Sequence, residues 1–224
     1  ALTGNNATIF DITGASNFTS SGTVYVNCTY TGSTGTRTLV TGFNSAQSAS
    51  YNVSTSGTTG IVLSPSATDT VALTGSYNTI NLTGFTGTLS NTARTLYGNF
   101  TIPASGATLS AGTNATTFAA TSGTQTLTTN GVTLDFPVTQ NGAGGTLALA
   151  ANTTLGTSRT FTLTNGTFAL QNNTLTTGAF SSSNTNTRTL SFGTGKIVLN
   201  GATTATVWDT STVSFLTTTG TPLV

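Results

Sequence analysis

The 224-residue chain contains no His, no Met and no Glu, a single Cys and a single Trp, and only 4% of its residues are charged. Each absence excludes something. Without His, neither a Ser–His–Asp triad nor a His-based metal site can form. With Cys28 alone, no intrachain disulfide is possible. The acids are four aspartates, Asp11, Asp69, Asp135 and Asp209. Hydrolysis of a glycosidic bond needs two carboxylates facing it, and Asp69 and Asp135 lie at different phases of the repeat described below. Calcium needs dense oxygen ligation, and no DxDxDG-like or GGxGxD-like run occurs. No cofactor is expected. The five basic residues are widely scattered and the net charge is +1. The clustered cations that bind nucleic acid are therefore missing. No apolar run approaches the ~18 residues of a membrane span, so no membrane insertion is expected. The chain starts at Ala1 without a signal peptide, which is read as a processed or excised boundary.

What is present is a β composition. About a quarter of the residues are Thr, which suits the solvated face of a strand. Twelve Phe and many Val, Ile and Leu supply material for a core and argue against disorder. In VYVNCTY, Cys28 alternates in phase with Val24, Val26 and Tyr30, the pattern of a buried, inert thiol. Trp208 is expected in a core or rung-capping role, with sugar stacking as its alternative. Ten Asn-x-Ser/Thr sequons, among them Asn6, Asn17, Asn52, Asn81 and Asn165, would carry glycans only in a host that glycosylates extracellular Asn.

Two registers organise the chain. All four arginines are followed by Thr and then Leu or Phe: Arg37 in TRTLV, Arg94 in ARTLY, Arg159 in SRTFT and Arg188 in TRTLS. RTFTLTNGTFAL and RTLSFGTGKIVL align with alternating apolar residues on both sides of Gly166 and Gly195. With weaker echoes at Ala7, Asp69 and Gln125, successive register points are spaced by 30, 32, 25, 31, 34 and 29 residues. A unit of about 30 residues with two or three short strands cannot bury its own apolar face and has to stack on its neighbours. The expected fold is all-β, a right-handed parallel β-solenoid (β-helix) with rungs of about 30 residues. Gly and Asn would turn the corners, and the arginines would mark one corner or outer face. They are read as a structural ladder or rung start, with a ligand site as the alternative. Asn-Gly in LTNGTF and TTNGVT is also a strong hairpin signal, so a tandem antiparallel β-sandwich is the alternative fold.

The longer register is the more unusual. ATIFDITGASNFTSSGT at 7–23 returns without a gap as ATVWDTSTVSFLTTTGT at 205–221, and Asp11 to Asp209 is 198 residues. The repetition makes Asp11 and Asp209 structural equivalents. Residues 1–224 are read as one solenoid segment, a single 198-residue period plus a short overlap, with six or seven rungs spanning roughly 30 Å. The residues after Val224 are expected to resemble NCTYTGSTGTRT.

VNCTYTGSTGTRTL, DTVALTGSYNTINLTGFTGTLSNTARTLYGN, TQTLTTNGVTLDFPVTQNGAGGT and AFSSSNTNTRTLSFGTGKIVLNG resemble the long tandem-repeat proteins of marine bacteriophage genomes. That family is regarded as virion structural or tail-fibre-like, with β-solenoid character, and it implies no catalytic residues. The resemblance runs from about residue 7 to the end. Phrases such as GGTLALAANTTLG are similar to the passenger regions of bacterial autotransporter adhesins. The expected function is thus a non-enzymatic segment of an elongated extracellular fibre, in the first place a virion appendage. A bacterial or archaeal surface filament or adhesin is the alternative, and a carbohydrate-processing β-helix without its acids a weaker third. Expected partners are further copies head to tail, or adjacent repeats of a longer chain, and a cell-surface glycan or receptor.

Overall fold

In the computed structural model, the described residues are 7–11, 25–29, 35–41, 52–56, 60–64, 69–202 and 205–221. They form three sheets in which every recorded strand pair is parallel. The first sheet runs through β1 (Ala7–Asp11), β3 (Thr36–Thr41), β6 (Thr70–Tyr77), β9 (Arg94–Leu96) and β12 (Thr116–Phe118). It continues through β14 (Val138–Gln140), β17 (Thr160–Leu163), β20 (Ala179–Ser181) and β23 (Trp208–Asp209). The short strands β8 (Thr88–Leu89) and β11 (Thr108–Leu109) branch from β6.

The second sheet starts at β2 (Tyr25–Thr29), where β5 (Gly60–Ser64) lies between β2 and β4 (Val53–Ser54). It then follows chain order through β7 (Ile80–Asn81), β10 (Phe100–Thr101), β13 (Thr124–Thr128) and β15 (Thr146–Leu149) to β18 (Gly166–Ala169), β21 (Arg188–Ser191) and β24 (Leu216–Thr219). A third sheet of β16 (Thr153–Thr154), β19 (Thr174–Thr177) and β22 (Lys196–Leu199) closes the later turns.

The period-2 pattern of the sequence explains the strands. In β3, TRTLVT alternates half-buried and buried residues, with Arg37, Leu39 and Thr41 inside. In β17, TFTL buries Phe161 and Leu163 and leaves Thr160 and Thr162 half-buried. Parallel pairing then stacks inward residue on inward residue. Leu96, Phe118, Gln140 and Leu163 follow one another across β9, β12, β14 and β17. The side chains of Leu147, Phe168 and Leu190 do the same across β15, β18 and β21. One continuous apolar column fills the interior. Phe161, Phe180 and Trp208 are stacked along it, with ring centroids 6.1 Å and 4.8 Å apart.

Turn length varies along the stack. Ala7 pairs with Arg37 and Arg37 with Val71, whereas Arg94 pairs with Thr116, which pairs with Val138. The turns lengthen again from Phe180 to Trp208. Nine strands stack along the first sheet, which at about 4.8 Å per step gives roughly 40 Å from β1 to β23.

The Asn-Gly pairs do not make antiparallel hairpins. At Asn130–Gly131 both residues have positive φ (50° and 82°), and the Val132 amide donates to the Thr129 carbonyl at 2.9 Å. That is the local geometry of a hairpin turn. Yet the chain leaves it for Leu134, which bridges Leu155 in parallel. Asn165–Gly166 likewise joins β17 of the first sheet to β18 of the second. A tight turn fixes only the local change of direction; here the next strand finds its partner one turn away. The antiparallel sandwich is excluded for the described residues.

Candidate functional site

Three of the four recurring arginines lie inside rather than on an outer face. Arg37, Arg94 and Arg188 are 1%, 2% and 0% exposed, and each lies in phase with the buried leucine two residues on. The corner carbonyls of a parallel solenoid have no ladder partner, and a buried carbonyl needs a donor. The long cations supply several donors at once. Arg188 donates from Nε to Asn186 O (2.8 Å), from Nη1 to Ser182 O and to Ser182 Oγ (3.1 Å), and from Nη2 to Thr212 O (2.7 Å). It thereby ties three segments of the last turns together. Desolvation holds its pKa below the ordinary arginine value. Gln125, another register point, serves as a neutral counterpart. Its Nε2 donates to Leu96 O (2.9 Å) and Gly98 O (2.7 Å), and its Oε1 accepts from the Ala120 amide (3.0 Å).

Two aspartates are taken up by arginines. Arg37 Nη2 and Asp69 Oδ1 are 3.0 Å apart with both side chains 1% exposed. Asp135 Oδ1 accepts from Arg159 Nε at 2.6 Å nearer the surface. Arg159 is therefore the member of the series that turns outward. Arg94 has no carboxylate partner among the described residues. Its Nη2 donates to Ser90 O (2.7 Å), while Nε and Nη1 make no hydrogen bond. The guanidinium lies 5.7 Å from the ring centroid of Phe136, and burial lowers its pKa to about 10.

The glycines marked by the alignment fall in different places. Gly166 opens β18 in the second sheet and pairs directly with Arg188, one turn on. Its φ is +66°, and a Cβ there would sit 2.1 Å from Gly142 O. Gly195 precedes β22 of the third sheet. The aligned phrases around Arg159 and Arg188 thus share a strand–turn–strand rhythm but lie one sheet apart. Asp11 and Asp209 both belong to the first sheet, in its two terminal strands. Asp209 accepts from the Ser211 amide at 3.0 Å, the leading cause of its pKa lying below the ordinary value.

Asparagines line the corners and bond from turn to turn. Asn78 donates to Asn52 (2.9 Å), Asn165 donates to Asn141 (3.0 Å), and Asn91 and Asn114 exchange side chain-to-backbone bonds at 2.9 and 3.0 Å. The sequon residues Asn52, Asn114 and Asn165 are thereby used in the stack. Cys28 lies in β2, but its side chain is outside the described residues, as are Asn6 and Asn17.

Two shallow grooves mark the surface. One is lined by Asn165, Thr167, Thr185, Asn186 and Thr189, the other by Ser158, Arg159, Asn200 and Val207 among others. Their hydroxyls and amides can hydrogen-bond a neutral polar ligand. Trp208 takes part in the core stack, and its Nε1 donates to Thr210 Oγ1 at 3.1 Å. Among the described residues no three metal-ligating side chains come together, and no helix is long and apolar enough to cross a membrane.

The parallel turns, inward columns and corner ladders define the class: an all-β solenoid of the parallel β-helix type. No family model, no curated protein and no solved structure matches the chain.

Proposed function

We propose that the protein is a non-enzymatic structural segment of an elongated extracellular fibre, first of all a phage tail-fibre-like virion appendage. One observation carries this reading. Parallel stacking runs from β1 to β23, and those two terminal strands carry the same repeated phrase in the same sheet. A stack whose two ends are in phase extends without a change of architecture. Its work would be mechanical: backbone ladders propagate along the axis and hold a receptor-binding element away from a particle. A surface of hydroxyls and amides with few charges is little changed by salt, because there is little to screen.

The test is where the protein resides and how it extends. Immunogold microscopy of the particle fraction should label an appendage, and each added 198-residue period should lengthen the isolated rod by roughly 40 Å. Label confined to the soluble fraction would reject the virion role. Polysaccharide turnover abolished by Asp135→Asn would reject the non-enzymatic reading. The second reading, a cellular surface filament or adhesin, draws support from the amide- and hydroxyl-lined groove at Asn165 and Asn186, which suits a glycan. Label on the cell envelope would favour it.

A further inference from the structure

The duplicated phrase means that the edge of β3 has two equally suitable occupants. On that edge β1 places Ala7 against Arg37, Thr8 against Thr38, Phe10 against Leu39 and Asp11 against Val40. Residues 205–209, ATVWD, repeat residues 7–11, ATIFD, with only Val for Ile and Trp for Phe. Among the described residues no strand pairs with the outer edge of β23, which is the edge that position requires. The carbonyls of Val207 and Asp209 accept from Phe180 and Ser182 of the preceding turn. In a parallel ladder the backbone groups of Trp208, between them, point to the other side. Among the described residues β23 is the last strand of its sheet, as β24 is of the second. The same end also carries two of the three large exposed hydrophobics among the described residues, Val213 at 60% and Phe215 at 46%.

We propose that the partner of this end is the β3 edge of a second copy, and that β1 is a removable plug which mimics the segment that displaces it. In the exchanged state β23 of one copy pairs with β3 of the next, Trp208 against Leu39 and Asp209 against Val40, in the register inherited from Phe10 and Asp11. Direct docking of β23 on β1 would instead set Asp11 beside Asp209, two like charges on neighbouring strands. Exchange avoids that contact and continues the Phe161–Phe180–Trp208 column onto Leu39, which is 0% exposed in its own fold. β1 then closes a free copy, and residues 205–209 of a neighbour replace it in an assembly. Open strand edges that are closed in this way are the ordinary route to β-strand addition.

This inference rests on the fibre reading, and the experiment separates the two. Analytical ultracentrifugation compares the full chain with a variant lacking residues 1–23, and anisotropy follows a labelled peptide of residues 203–221. The full chain should remain monomeric while the shortened chain forms head-to-tail multimers. The peptide should bind the shortened chain at least about tenfold more tightly than the full chain and stop its growth. The same peptide with Trp208→Asp should do neither. If the shortened chain does not fold, Phe10→Asp in the full chain loosens the plug without removing it and should give the same assembly. A folded, monomeric variant that ignores the peptide overturns the exchange, as does a full chain that assembles as readily as the variant. Two periods joined in one chain provide the control. If they form a single long rod while the exchange fails, the fibre reading stands; if they form no rod, the fibre reading itself fails.

Discussion

Replacing Asp69 by Asn removes one charge from the interior while keeping the side-chain volume. Its partner Arg37 would remain 1% exposed with its Nη2 about 3 Å from a neutral amide. At an effective dielectric of about 20, two unit charges at that separation attract by about 5 kcal/mol. That attraction offsets the cost of removing the guanidinium from water, and losing one partner of such a pair typically costs about 3–5 kcal/mol. Against a total stability of about 5–15 kcal/mol this is a large fraction. With a urea m-value near 3 kcal/mol/M, the midpoint should fall by more than about 1 M. Each turn touches only its neighbours, so the loss should appear first as faster amide exchange in β3 and β6. The double variant Arg37→Met/Asp69→Leu should recover most of it, because an apolar pair of similar size leaves no buried charge. An Asp69→Asn change within about 1 kcal/mol of wild type, or a double variant as weak as the single, would refute the argument that this pair matters through mutual neutralisation.

Four further outcomes follow from the same physics. Arg94→Met should stabilise the chain by about 2 kcal/mol in urea unfolding, since it removes a desolvated guanidinium that has one short hydrogen bond and, among the described residues, no carboxylate partner. Arg188→Met should do the opposite, costing about 3 kcal/mol and increasing exchange around Thr212, because it strands the carbonyls of Ser182, Asn186 and Thr212. Gly75→Ala should cost at least about 3 kcal/mol in thermal unfolding: φ is +97° and the added Cβ would lie 1.6 Å from Thr41 O. Asp209 has a folded-state pKa below its ordinary value, so its contribution is present above that ordinary value and lost as pH falls through the lowered one. Trp208 fluorescence should change in that acid window, and Asp209→Asn should abolish the transition.

The solenoid was legible because its periodicity is a property of the chain itself. The alternation in TRTLV, SRTFT and KIVL states which residues face inward, and recurrence states that the units stack. The buried arginines were also written there, though the expectation of a corner or outer face did not include their burial. In RTL, Arg and Leu stand two apart, so the alternation that buries Leu39, Leu96 and Leu190 also buries Arg37, Arg94 and Arg188. The ion pair to Asp69 had a signal too, because Asp69 was a register point next after Arg37. Arg159 broke the series by lying just before β17, outside the strand that would have fixed its direction.

The sequence by itself determined the stacking of repeated units, the inward residues of the strands and the equivalence of the two ends, since all three depend on spacing along one chain. Tertiary structure alone decided which sheet each phrase joined. The phrases at Arg159 and Arg188 look interchangeable, yet the first enters the first sheet and the second enters the second. A turn of the solenoid is set by the corners between strands, and corners differ in length while the strands keep the same alternation. Asn130–Gly131 turns the chain as a hairpin would, but the direction of pairing is fixed by the neighbouring turn, whose carbonyls, amides and apolar column are already in place to receive the next strand.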